Sequence, residues 1–448
     1  MWISVLMKLS SVMLNNWKYH RAGRNRLSSV INKKGVEMKK RNSYLVSAFI
    51  GSLSLGVMET VSAGANVQCP GDVNNDAIVD IPDPARSVKC MHLSSGDGFA
   101  NMADGRLQYM FGFGDLTGIP QDQSIDAGIL GAELPAPRIT LDEGDEFFLT
   151  LTNVGMQMRP DLFDPHTVHF HGFPNASAIF DGVPDASVSV NMLSSLTYYY
   201  KVAVPGTYFY HCHVEATEHM QMGMMGNLYV RPAQNNLADQ IFPNGFSHTK
   251  WNGLTGIAST GNKYAYNDGD GSTAYDVEAP IQITSFDPIF HDASLSTQPL
   301  PFADMKDTYS MLNGRSYPDT VEPGSLVPPV ENGSKVTQTE HALVEAAVGD
   351  KILLRISNVS VTNYYTLSAM GLTMKVVGIG AKQLKGPDGK DLSYDTTSVT
   401  LGGGEAIDVI IDTANVTAGT YFLYTTNLNF LSNNDEDFGG MMTEIRIN

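Results

Sequence analysis

The chain has 448 residues, 42% of them apolar, with 42 Gly, 22 Pro and a formal net charge of −18. That length suits two or three domains with sizeable cores, and abundant Gly, Pro, Thr, Val and Tyr favour strands and turns over helices. The acidic balance makes nucleic acid and anionic membrane surfaces poor partners.

Residues 1–65 read as an export leader. Met38-Lys39-Lys40-Arg41 is a basic start, Tyr44 to Met58 an apolar middle, and Ala63-Gly64-Ala65 an A-x-A cleavage site. A signal peptide beginning at Met38 is complete by itself, so the residues before it are expected to be an over-extended gene start. The apolar run is short for a bilayer span. The mature protein is therefore expected to be periplasmic or secreted, without a membrane span. Residues 1–65 hold ten of the 29 Lys/Arg and two of the 47 Asp/Glu, so the mature charge is near −26.

Residues 66–105 form an N-terminal segment. Cys69 and Cys90 lie close together there and can pair in an oxidising compartment, which leaves Cys212 single. Asp72, Asn74, Asp76, Asp80 and Asp83, with the carbonyl of Ile78, fall at the oxygen-ligand positions of a calcium loop. The stretch resembles the single loops of dockerin-type repeats, although Ala77 replaces the usual Gly and Asp83 is shorter than the usual Glu. An ordinary acidic turn is the alternative.

The rest of the chain holds a diverged repeat. Gly144-Asp145 followed by Phe148 to Asn153 matches Gly349-Asp350 followed by Leu353 to Asn358, over the same span. Gly206-Thr207-Tyr208-Phe209 matches Gly419-Thr420-Tyr421-Phe422, and Met224-Met225 matches Met441-Met442. Short strands separated by turn residues predict a β-sandwich in each half, an all-β architecture. The halves are expected at 106–232 and 276–448, with a linker or surface excursion over 233–275.

The first half carries the chemistry. Six of the 11 His fall between His166 and His219. Strand side chains alternate faces, so His169 and His171 share one side, as do His211 and His213, while Cys212 points the other way. One strand thus separates an inward thiolate from four outward imidazoles. The inward set can be completed by His166, His219 and Met224: one thiolate, two imidazoles and a weak thioether, the donors of a blue-copper site. Met220, Met222, Met224 and Met225 crowd one loop; soft thioethers suit Cu(I) and hint at cuprous ion as a substrate, while ordinary packing explains all but Met224 equally well. In the second half, Ser368-Ala369-Met370-Gly371 stands where the first has His169-Phe170-His171-Gly172, and Tyr424-Thr425-Thr426 where it has His211-Cys212-His213. That half is expected to be structural.

The stretch His166-Thr167-Val168-His169-Phe170-His171-Gly172, then Asp181-Gly182-Val183-Pro184, then His211-Cys212-His213 running to His219 and Met224, resembles the multicopper oxidase family. Leu312-Asn313-Gly314-Arg315-Ser316 resembles the ligand-free domain of these oxidases. The resemblance implies two cupredoxin-like Greek-key domains, the first copper-loaded and the second ligand-free. It also implies type 1 copper on His166, Cys212, His219 and axial Met224. His169 would bind type 2 copper, and His171, His211 and His213 type 3 copper. Asp181 and Glu218 are implied as proton donors for dioxygen reduction. Two departures stand out. Five residues separate His213 from His219 where three are common, a loop length towards the copper nitrite reductases. A trinuclear cluster is normally held by eight His from two domains, and this chain supplies four. The remaining ligands would come from a second copy or a partner subunit.

These observations predict an exported multicopper oxidase. It would oxidise a small phenolic or metal-ion reductant at type 1 copper and reduce dioxygen to water at an interchain trinuclear cluster. The alternatives are an electron-transfer protein with type 1 copper alone, or a nitrite-reductase-like enzyme.

Overall fold

A computed structural model of the protein describes residues 64–253, 261–296 and 299–448. All but the last two residues of the expected leader lie outside them. No helix among the described residues is long and apolar enough to cross a membrane.

The first half contributes eight strands: β1 (Val88–Asn101), β2 (Leu107–Asp115), β3 (Ala136–Asp142), β4 (Glu146–Gly155), β5 (His169–His171), β6 (Ser195–Lys201), β7 (Gly206–His211) and β8 (Met225–Arg231). They form two sheets, ordered β2-β1-β4-β6 and β3-β8-β7-β5. Two short helices join them, α1 (Ser124–Gly128) and α2 (Ala216–Gln221). Alternation builds the core: Phe147, Leu149 and Leu151 of β4 point inward, against Phe170, Tyr210, Leu228 and Cys212 from the facing sheet. The Cys69–Cys90 disulfide clips the N-terminal segment to β1. β1 itself, though it lies within residues 66–105, pairs with β2 and β4 and belongs to this sandwich.

Two short ribbons follow, β9 (Gln240–Ile241) with β10 (Ser247–His248), and β11 (Lys263–Tyr264) with β12 (Ala274–Tyr275). Ala265, Tyr266 and Tyr275 pack against Leu353, Val377 and Ile410, so this excursion lies on the second half.

The second half opens with β13 (Val277–Phe286), α3 (Pro288–Ser294), β14 (Tyr309–Leu312), β15 (Val344–Ala346), β16 (Lys351–Asn358) and β17 (Tyr365–Ala369). It continues with β18 (Met374–Ile379), β19 (Lys382–Gln383), β20 (Tyr394–Thr396) and β21 (Ser398–Leu401). β22 (Glu405–Asp412), β23 (Gly419–Thr425) and β24 (Met442–Ile447) complete it. One sheet runs β14-β13-β16-β22-β18-β19, with β20 also on β18, and the other β15-β24-β23-β17-β21. The first four strands of each order reproduce the two sheets of the first half, including the parallel pairs β1–β4 and β13–β16.

The register gives the repeat its chemical meaning. In the first half His169 pairs with His211 across β5 and β7; at the same place in the second, Ser368 pairs with Tyr424 across β17 and β23. The halves pack through Phe209 and Met225 against Phe286, Met311 and Val359. Beside this contact, fully buried Arg355 donates to Glu278 at 2.6 Å and to Thr207 at 3.0 Å, and lies 3.6 Å from buried Asp408. Burial opposes the Glu278 charge, but Arg355 and Arg231 hold its carboxyl down at about 2.

Candidate metal centres

Among the described residues, three groups of His, Cys, Asp or Glu bring ligand atoms within 4.8 Å of one another: His166–Cys212–His219, His169–His171–His211 and Asp164–Glu215–His219. The first two are the inward and outward sets expected from strand alternation.

Cys212 directly follows β7, and its side chain turns into the core of the first sandwich, fully buried. His219 Nδ1 lies 3.2 Å from its sulfur and His166 Nδ1 3.7 Å. With bonds of about 2.0–2.3 Å from N and S donors to one ion, those separations subtend about 95–115°. The donor set therefore fits a single soft-to-borderline metal ion, copper above all. Thr167 donates its backbone N–H to the sulfur at 3.5 Å, and its hydroxyl accepts from the N–H of His213 at 3.1 Å. Met224 is fully buried in the same core. Its N–H donates to His219 O at 2.9 Å, and its carbonyl accepts from Cys212 N–H at 3.2 Å, closing the loop on itself. Met222 is buried in that core as well, whereas Met225 faces the second half.

Electrostatics agree with a site built for a cation that replaces protons. Burial pushes the Cys212 thiol up to about 11 and His219 down to about 4. Burial, with His219 adding, holds His166 well below its ordinary value. The metal-free site is a neutral thiol between two neutral imidazoles, and a bound ion must expel the thiol proton to gain its thiolate ligand.

On the opposite face of the strand, ring centroids of His169 lie 5.3 Å from His211, 5.1 Å from His213 and 6.0 Å from His171. His211 and His213 stack at 5.6 Å. Two tautomers are set by backbone carbonyls: His169 Nδ1 faces Asp181 O at 2.5 Å, and His211 Nδ1 faces Cys212 O at 2.8 Å. Donation there leaves each Nε2 with a free lone pair, the usual arrangement behind a metal-binding imidazole. Burial lowers His211 to about 3 and also lowers His171, with neighbouring imidazoles adding to both. Neutral imidazoles are the form that binds metal.

These imidazoles do not stand on an open surface. They line a cleft of about 440 Å³ whose far wall is Ser360–Tyr364 and Gly403–Gly404 of the second half. The approach is close: a Cβ added to Gly404, at φ +91°, would sit 3.4 Å from His171 Nε2. Strand alternation gives the face a side chain takes but not what the other half places opposite it, and no pattern in the sequence marked this wall.

Of the expected acids, Asp181 lies beside the four-imidazole cluster, its carboxylate 3.7 Å from His169 Nδ1. Glu218 is buried in α2, whose neighbours Ala216, Thr217 and Met220 line the cleft. Asp164 and Glu215 were not singled out by sequence; both flank His219, and burial raises each, with Asp164 adding to Glu215.

In the N-terminal loop, Asp72 accepts from the N–H groups of Asn74, Asn75 and Ala77, Asp76 from that of Ile78, and Asp80 from that of Val73. Asp83 accepts from Ala85 N–H outside the loop. Ala77 adopts φ +66°, the conformation that favours Gly at this position.

Residues 120–235 match a family model described as multicopper oxidase, and residues 295–445 a second with the same description. Together they take in more than half of the chain, one in each half. The chain is 31% identical over 120 residues to the multicopper oxidase MCE of Talaromyces pinophilus, covering 26% of this chain and 18% of that protein. It is 33% identical over 102 residues to the multicopper oxidase MmcO of Mycobacterium tuberculosis, covering 21% and 19%. The matched segment thus spans about a fifth of the length of these relatives. Among solved structures, the blue copper oxidase of Nitrosomonas europaea superposes with a TM-score of 0.56 at 21% identity, over 80% of this chain and 86% of that one. A copper-containing nitrite reductase of Thermus scotoductus gives 0.51 at 16% identity, over 81% and 62%. Likeness at this level describes the fold, which the two enzymes share.

Proposed function

The chain belongs to the multicopper oxidase family, and on that premise we propose that it is an exported oxidase pairing a type 1 copper with a second copper centre on the four-imidazole face. Copper bound at these two centres would supply one-electron oxidation of a small reductant and the four-electron reduction of dioxygen to water. His166, Cys212, His219 and Met224 would hold the type 1 ion. His169, as type 2 ligand, and His171, His211 and His213, as type 3 ligands, would hold half of a trinuclear cluster. A second copy of the chain or a partner subunit would bring the other half to the cleft.

One observation carries this reading. Cys212 faces the core between two imidazoles that face the cleft, so a single backbone segment joins both donor sets. The chain's own groups have separable tasks. Thr167 braces the thiolate and the His213 backbone together. The Asp181 and Cys212 carbonyls orient His169 and His211. The Asp181 carboxylate sits where it can pass protons towards the cleft, and Glu218 would serve from α2. A phenolic or metal-ion reductant would approach near His219, beside Asp164 and Glu215. The disulfide supports an oxidising, extracytoplasmic location. Calcium in the Asp72–Asp83 loop rests on the spacing of its oxygen donors, with Ala77 in the left-handed turn such a loop has at that position.

A second reading has its own support. The described wall opposite the imidazoles offers only Ser, Val, Thr, Asn, Tyr and Gly, which favours a type 1 electron-transfer protein if no partner completes the cluster. Dioxygen uptake with a one-electron reductant separates the two: four-electron turnover supports the oxidase, and a blue protein inert to dioxygen supports electron transfer.

A further inference from the structure

The second half contributes no residue to the donor sets above, yet two of its buried side chains close on the segment that joins His219 to Met224. His291, on α3, places Nδ1 2.6 Å from the carbonyl of Tyr109 in β2 and Nε2 2.8 Å from the carbonyl of Gln221. Asp307 accepts from the Gln221 side-chain amide at 3.0 Å, while its other oxygen accepts from Ser285 Oγ at 2.5 Å. A neutral His291 ring has one N–H for these two carbonyls; donation from Nε2 holds the Gln221 backbone while Asp307 holds its side chain, and all three residues are buried.

The surroundings are built to present these groups. Asp287 caps α3, accepting from the N–H groups of Ile289 and Phe290, with Pro288 in the first turn. Its second oxygen accepts from Lys306 N–H at 2.7 Å, which anchors the stretch leading to Asp307. The Phe286 ring packs on His291 at 4.4 Å. On the other side, Gly223 allows close approach: at φ +118°, an added Cβ would lie 2.7 Å from Phe111 O. Phe111 N–H donates to Met222 O at 2.9 Å, and Met224 N–H closes the loop onto His219 O. A loop tied at both ends and gripped at Gln221 cannot shift there without carrying His219 and Met224.

We propose that His291 and Asp307 are positioning residues for the Cys212 centre: by fixing Gln221, the ligand-free half sets how His219 and Met224 stand around the ion. The proposal rests on the type 1 reading above. It gives the second half a task beyond filling space, because the placement of an imidazole and a weak axial thioether tunes such a centre.

The test uses the copper-loaded full chain with His291→Gln, Asp307→Asn and Gln221→Leu. His248→Gln is the control, a buried His bonded to Tyr264 and Leu237 within the 233–275 excursion. The three variants should each move the thiolate-to-copper band or the copper hyperfine splitting. They should also shift one-electron exchange with a mediator of known potential at least threefold, while the control matches wild type. If folded variants match wild type in all three readouts, or the control moves as far as they do, the proposal is overturned. Should the two second-half variants fail to fold, Gln221→Leu decides for Asp307, whose side-chain partner it removes, and the milder His291→Asn decides for the grip on the Gln221 carbonyl. A wild type without a thiolate-to-copper band would instead overturn the type 1 reading itself.

Discussion

Loading the Cys212 centre should release one proton per metal ion over a wide pH range. In the metal-free protein the thiol stands at about 11, His219 at about 4, and His166 well below its ordinary value. From about pH 5.5 to about pH 9, the site is one protonated thiol and two neutral imidazoles. A divalent ion that takes thiolate must expel that single proton, so apparent affinity should rise about tenfold per pH unit. An exposed set of the same ligands behaves differently. With a thiol at ~8.5 and imidazoles at ~6.5, release would be about three protons at pH 5.5 and roughly a quarter of one at pH 9. Cobalt(II) titration calorimetry in buffers of different ionisation enthalpy measures the count. A background of His169→Ala and His211→Ala confines binding to the Cys212 centre. A release near one at both pH values agrees with the buried geometry. More than two at pH 5.5, or less than a third at pH 9, refutes it.

His169→Ala should cut dioxygen consumption at least tenfold while the blue band survives, and Cys212→Ser should abolish the band with the fold intact by circular dichroism. Arg355→Met should destabilise the protein by about 3–5 kcal/mol in urea unfolding, because Glu278 loses the guanidinium it pairs with at 2.6 Å and buried Asp408 loses the one 3.6 Å away. An effect below about 1 kcal/mol would mean that this network contributes little to holding the halves. If the Asp72–Asp83 loop binds calcium, a chelator should lower the melting temperature of wild type and leave Asp72→Ala/Asp76→Ala unchanged; equal responses return the loop to an acidic turn.

Much of the architecture was legible because two physical periods were written into the chain. Strand alternation required Cys212 to oppose His211 and His213, and the structure places them on opposite faces. The matched Gly-Thr-Tyr-Phe segments set the register of β7 and β23, which puts Ser368 and Tyr424 where the first half has His169 and His211. What the sequence concealed depends on contacts between distant segments. His291 carries no signal in the sequence, because its partners are backbone carbonyls, which leave no signature there. The four outward imidazoles line a cleft, because Gly404 brings the second half against His171. Asp164 and Glu215, 51 positions apart, meet at His219 only through the fold.

On the proposed function, one chain joins a type 1 copper to half of a larger copper cluster, completed in an assembly. Copper content and oligomeric mass, measured on the same purified preparation, decide whether it does. The expected preparation is an oligomer or hetero-complex with more than one copper per chain, blue, and carrying type 2 and type 3 signals that vanish on dissociation. A monomer with one copper per chain that still reduces dioxygen at the full rate would contradict it.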